Sequence, residues 1–184
     1  KIDQQRNDQH GIVTNLHELG RLESERGNYL KAVAYLQDAV EISEQVDDWR
    51  TLAHALHELG RLASNQGNYK EAQGYFERSL GIETTHNDPR SHAYTLHEIG
   101  RIYELLRDYA RAMEYYKQSL NISWHLGDLR IIATTLMNLA GASQRLGNLA
   151  DAGRYIEQAA KLSEQVADKR LIITASLTLS ALEI

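Results

Sequence analysis

Apolar side chains recur along this chain at three- and four-residue spacing, and short polar turns interrupt the runs at regular intervals. Leu52, Leu56, Leu59 and Leu62 form one such stripe, the buried face of a predicted helix. Gly67-Asn68-Tyr69 breaks it, and a second stripe resumes with Ala72, Tyr75, Phe76, Leu80 and Ile82. Asn68, with Glu71 three residues on, predicts a capping box at the start of that second helix. The next break is Asn87-Asp88-Pro89, where Asp88 as N-cap and Pro89 as first helical residue predict another start. Asp48-Trp49, Asp128-Leu129 and Asp168-Lys169 mark the same kind of start elsewhere. No stretch carries the two-residue alternation of a half-buried strand.

The pattern copies itself. Leu16-His17-Glu18-Leu19-Gly20-Arg21-Leu22 returns at 56–62 with the same seven residues and at 96–102 with isoleucine at two positions. A worn copy follows at 136–142, and each copy begins 40 residues after the last. A fixed period of this size means stacked supersecondary units, each burying its apolar face against its neighbours. Full units span 11–50, 51–90, 91–130 and 131–170. Residues 1–10 align with the end of a unit, placing a turn at Asn7-Asp8, and 171–184 read as the first helix of a fifth. Both ends fall inside the repeat, so the chain is expected to be a segment of a longer protein. An apolar face at Leu171, Ile172, Leu179 and Leu182 predicts end-to-end association.

Small residues indicate how the helices meet. Gly20, Gly60, Gly100 and Ala140 share one position, although glycine inside a helix costs about 0.5–1 kcal/mol relative to alanine. Such a cost recurs where a larger side chain would hold two helices apart. Ala32, Ala72, Ala112 and Ala152 supply the matching position on the second helix, and Ala39, Ser79, Ser119 and Ala159 suit contact with the following unit. Most of Tyr35, Tyr75, Phe76, Tyr115 and Tyr116 read as core.

Leu96-x2-Ile99-Gly100-x2-Tyr103 followed by Ala112-x3-Tyr116, and Leu56-x2-Leu59-Gly60 followed by Ala72-x3-Phe76, resemble the tetratricopeptide repeat (TPR) signature. The unit is longer than the usual TPR length of about 34 residues, and Glu44, Thr84, Trp124 and Glu164 stand where the family closes on proline. The long form resembles the sensor and scaffold arrays of bacterial signal-transducing proteins of the STAND class. The resemblance implies an all-α, right-handed solenoid of antiparallel helix pairs. It also implies a protein- or peptide-binding role, with ligands in a concave groove lined by first helices.

Carried onto this sequence, the groove positions are Thr14, His17, Glu18, Arg21, Ser24 and Glu25 in the first unit, and His54, His57, Glu58, Arg61, Ser64 and Asn65 in the second. The third contributes Tyr94, His97, Glu98, Arg101, Glu104 and Leu105, and the fourth Thr134, Met137, Asn138, Gly141, Gln144 and Arg145. Two readings of the His-Glu-Arg ladder compete: i,i+3 ion pairs on a solvated face, or arginines and histidines poised for a peptide. In the fourth unit methionine, asparagine and glycine replace the ladder, a change that suits an extended peptide backbone.

Composition narrows the partners. Twenty basic against 25 acidic residues leave a net charge of −5, which argues against nucleic acid. There is no cysteine, in keeping with a reducing cytoplasm, and no apolar run near the ~18 residues a membrane helix needs. His17-Glu18-x-x-Arg21 lacks the second histidine of the zinc motif, and no phosphate loop or nucleophile–base set is present. Neither cofactor, metal nor catalytic activity is therefore expected. The alternatives to a peptide-binding module are a structural spacer or oligomerisation element, and a regulatory sensor array of a multidomain NTPase.

Overall fold

The computed structural model describes residues 2–166 and four further positions, 172, 173, 176 and 177. The apolar face expected at Leu171, Leu179 and Leu182 lies outside the described residues. The described chain is helical throughout, without a strand: α1 (Ile2–Glu25), α2 (Tyr29–Val46), α3 (Trp49–Asn65), α4 (Tyr69–Thr85), α5 (Pro89–Leu105), α6 (Tyr109–Leu126), α7 (Leu129–Arg145) and α8 (Leu149–Val166). The helices form two compact units, 1–88 and 89–184. Within each, every helix packs on the next in sequence, and first helices also touch (α1 with α3, α5 with α7).

The start expected at Asp168-Lys169 lies outside the described residues; the other helix starts follow the expected residues, with two corrections. Asp48 and Asp128 accept hydrogen bonds from the backbone N–H of Thr51 and Ile131 at 3.2 and 3.3 Å, as aspartate N-caps do. Asp108, which was not anticipated, caps α6 in the same way, accepting from the Arg111 N–H at 3.1 Å. Asn28 and Asn68 occupy cap positions, but their side chains make no capping bond. Asn28 instead donates to Glu23 Oε2 at 2.7 Å, so this turn is tied by its side chains across the break. The turn aligned at Asn7-Asp8 is absent, and α1 runs through both residues. Neither residue forbids helical angles, so the i→i−4 ladder continues through them.

The glycine notches have a direct cause. A Cβ on Gly60 would stand 2.7 Å from the Phe76 ring, and one on Gly100 2.7 Å from the Tyr116 ring. At Gly20 the obstacle is Leu36, 2.6 Å away. All three partners are fully buried. In the last pair alanine at 140 faces the slimmer Ile156, and both belong to a core with Ile132, Leu136 and Ala159. The corresponding core of the first unit gathers Leu36, Ala39, Ala55, Leu59 and Leu62.

Ser79 and Ser119 add a second contact to the one expected at their position. Their hydroxyls donate to the Ala53 and Ala93 carbonyls at 2.9 and 2.7 Å, both on the first helix of their own pair. The position thus closes its own pair as well, while Ala39 makes the expected contact with the pair that follows, clustering with Ala55, Leu59 and Leu62.

Candidate functional site

The ladder lies on first helices and is largely paired at rest. Glu18 and Glu25 flank Arg21 at 2.9 and 2.7 Å. Glu58 pairs with Arg61 at 3.0 Å, and Glu98 with Arg101 at 2.9 Å. The three arginines are exposed, as are Glu18, His54, Tyr94 and Arg145, whereas His57, Glu58 and Glu98 are half-buried. Each i,i+3 pair contributes only about 0.2–0.5 kcal/mol, so a ligand carboxylate can replace the internal partner at small cost.

The histidines occupy one sequence position but three environments. His17 is half-buried with its ring 6.0 Å from that of His54. Burial, then the neighbouring His54, holds its pKa below the usual imidazole value. His57 meets the Phe76 ring edge-on at 5.3 Å. His97 is only 4% exposed and tilts against Tyr116 at 5.4 Å. Its Nδ1 lies 3.0 Å from Thr135 Oγ1 and its Nε2 3.3 Å from Asn138 Nδ2. A neutral ring protonated on Nδ1 satisfies both contacts, donating to Thr135 and accepting from the Asn138 amide. Burial, aided by the Arg101 charge, pushes its pKa down to about 3.

His97 is therefore a correction to the groove assignment: it is a buried strut beneath Asn138 that stays neutral near pH 7. The consequence for stability has a definite sign. The unfolded chain binds a proton at His97 near pH 6.5 and the folded chain only near pH 3. Its contribution is thus full above pH 6.5 and lost progressively as pH falls towards 3. Urea unfolding between pH 7.5 and 5, above the range where carboxylates titrate, is expected to show stability falling with pH. His97→Gln should flatten that slope; an unchanged slope would place the titration elsewhere.

In the second unit the first-helix face opens into a cleft of about 430 Å³ lined by Arg101, Glu104, Leu105, Arg107, Tyr109, Asn138 and Arg145. Five of these, Arg101, Glu104, Leu105, Asn138 and Arg145, are among the groove positions carried over from the family, although only Arg101 belongs to the ladder and only Asn138 to its fourth-unit replacement. Arg107 and Tyr109 were not anticipated, because Arg107 sits in the turn and Tyr109 at the start of a second helix, α6, rather than on a first helix. The signal was nonetheless present: Arg107 interrupts a glycine series at 27, 67 and 147. All three glycines adopt positive φ (80, 81 and 80°), and Arg107 adopts 62°, a region that non-glycine residues rarely enter.

The fourth-unit substitutions separate in the structure. Asn138 lines the cleft. Met137 packs against the Ile132–Ile156 core and is a correction, being mainly a packing residue. Gly141 is half-buried, and a Cβ there would stand 4.0 Å from Glu104 Oε1, so its lack of a side chain keeps space beside that carboxylate. Glu104 itself accepts from the Tyr116 hydroxyl at 2.7 Å. Among the described residues no group of three His, Asp or Glu is placed to hold a metal ion, and no helix is long and apolar enough to cross a membrane.

Three tetratricopeptide repeat models match the chain, over residues 11–85, 93–123 and 132–169. No curated protein sequence matches. Among solved structures, BtubC from P. vanneervenii is similar over 98% of this chain and 82% of its own, with 17% identity and a TM-score of 0.80. Aspartyl phosphate phosphatase F from Bacillus subtilis matches 92% of this chain and 45% of its own, at 15% identity and a TM-score of 0.88. A signal transduction ATPase with numerous domains from Pyrococcus horikoshii, which has a tetratricopeptide repeat sensor, matches 92% of this chain and 26% of its own at 24% identity and a TM-score of 0.82. At these identities the likeness is one of fold. With the repeat models covering most of its length and the helix pairs closing on glycine notches, the chain belongs to the tetratricopeptide repeat family.

Proposed function

We propose that this chain is a non-enzymatic interaction module that binds an extended peptide segment of a protein partner along its first helices, within a larger cytoplasmic signalling or scaffold protein. The observation that carries the reading is the chemistry of that surface. Arg21, Arg61 and Arg101 are exposed and held only by weak i,i+3 or i,i+4 pairs, and the second unit adds a cleft large enough for one or two side chains. Family membership points the same way, since tetratricopeptide repeats are typically non-catalytic protein-interaction modules. The comparison with an ATPase carrying a repeat sensor supports a regulatory setting.

A peptide array probed with wild type and with Arg61→Ala/Arg101→Ala tests this reading. Peptides captured by the wild type are expected to lose about tenfold or more in affinity on the double variant, the scale of a lost charge-assisted contact. Identical capture by both proteins would remove the ladder from the binding surface.

A second reading draws on α1. Ile12, Leu19 and Leu22 are 48, 42 and 40% exposed, whereas Leu59 and Leu62, equivalent to Leu19 and Leu22 in the next pair, are 3 and 1% exposed. This face favours a further helix packing on α1, as in a spacer or an end-to-end assembly.

A further inference from the structure

The cleft of the second unit has an electrostatic feature that the ladder lacks. Arg101 is paired with Glu98, but among the described residues neither the Arg107 nor the Arg145 guanidinium has a hydrogen-bonding or ion-pair partner; Arg107 bonds only through its backbone N–H, to the Glu104 carbonyl at 2.9 Å. Three arginines and one glutamate line this cleft in a chain whose net charge is −5. The glutamate, Glu104, is partly engaged by the Tyr116 hydroxyl.

Each unpaired arginine stands where the repeat would place something else. Arg107 replaces the glycine of the other turns and holds φ at 62°. Arg145 takes the place of Glu25, Asn65 and Leu105, while Asn138 takes the place of Glu18, Glu58 and Glu98. The fourth unit has thus lost both members of the ladder ion pair, with Asn138 for the glutamate and Gly141 for the arginine, and carries its cation four residues on at Arg145 with no glutamate one turn away to hold it. His97 fixes the Asn138 amide from beneath. Leu105, 48% exposed, supplies an apolar margin.

We infer that this cleft is an anion subsite for an acidic peptide, in which Arg107 and Arg145 hold a carboxylate, Asn138 bonds the adjoining backbone, and Leu105 takes a neighbouring apolar side chain. Guanidinium forks match carboxylate oxygens in geometry as well as charge. The geometry of Arg107 is the strongest support: a turn that glycine would make at no steric cost instead carries a long cation aimed at the cleft. The inference rests on the peptide-binding reading and adds to it the chemistry of one subsite.

The test uses the full chain and two synthetic peptides in a Gly/Ser background, one centred on Glu-Glu-Leu and one on Gln-Gln-Leu. Titration of 15N-labelled protein, observed at the arginine Nε–H signals, is expected to move Arg107 and Arg145 with the glutamate peptide and leave them in place with the glutamine one. Arg107→Gly, which installs the residue of the other turns, should weaken the glutamate peptide about tenfold while the melting temperature stays equal or rises. Binding should also weaken with added salt, as for a solvent-facing charge pair.

Equal binding of the two peptides, or full affinity in Arg107→Gly, would overturn the subsite and leave the array result with Arg61 and Arg101 to judge the wider groove on its own. Arginine signals unmoved by either peptide would overturn it as well. Tighter binding of a phosphoserine peptide than of the glutamate one would overturn the carboxylate assignment in favour of a phosphoryl group.

Discussion

Phe76→Ala is expected to destabilise the first unit by about 3–5 kcal/mol, the range for removing a fully buried aromatic ring. The ring is 0% exposed, fills the notch at Gly60 and receives the edge of His57 at 5.3 Å. Collapse around the void is poor, because one wall is the α3 backbone at Gly60 and has no side chain to move in. The expected loss therefore combines the lost transfer free energy of the ring with most of the cavity cost. Urea unfolding followed by helical circular dichroism gives the number. Leu30→Ala, at a side chain 90% exposed at the start of α2, is the comparison and should change stability by less than about 0.5 kcal/mol. A Phe76→Ala loss below about 1 kcal/mol would mean that the notch is not a packing constraint.

What was legible beforehand follows from how local the interactions are. Helix pairs, their turns and the glycine notches depend on residues within one 40-residue unit that recur in register, so repetition itself marks them. Gly20, Gly60 and Gly100 each meet the residue sixteen positions on, and that relation is visible as a pairing of glycine with Leu36, Phe76 and Tyr116. The histidines defeat the same logic. His17, His57 and His97 share a position, yet their environments are set by what the adjacent helices offer: a second imidazole for the first, a phenyl edge for the second, Thr135 and Asn138 for the third.

The cleft was only partly legible for a related reason. Its first-helix members could be placed by analogy, but Arg107 lies in a turn where the eye passes over one departure from glycine. Its significance needs the backbone angle, which the residue name does not supply. Likewise Asn28 has the right identity and spacing for a cap, but Glu23 sits where the family expects tyrosine and takes up its amide. A local substitution has redirected a local signal.

Gly100→Ala is expected to destabilise the second unit by about 1–3 kcal/mol, against the direction of helix propensity, which favours alanine by about 0.5–1 kcal/mol. The new Cβ would stand 2.7 Å from both Cδ1 and Cε1 of Tyr116. The ring has little room to yield, since it is fully buried and its hydroxyl is bonded to Glu104 at 2.7 Å. Either α5 and α6 must separate or the ring must leave its well, and both disturb the floor of the cleft. The last helix pair states the remedy in its own residues: Ala140 packs there with Ile156, a slimmer side chain. Gly100→Ala combined with Tyr116→Ile is therefore expected to cost less than the sum of the two single changes. A favourable coupling of about 0.5 kcal/mol or more, read from a double-mutant cycle in urea, is the expected outcome. Additive losses would show that the two positions do not constrain each other, and the pairing of glycine with a bulky partner would then have some other origin. If the coupling is found, the repeat has two interchangeable solutions to one packing problem, glycine with an aromatic ring and alanine with an aliphatic one. The aromatic solution carries one feature its counterpart lacks: the Tyr116 hydroxyl holds Glu104 at the edge of the arginine cleft, so the closure of this helix pair and the charge of its surface are set by the same side chain.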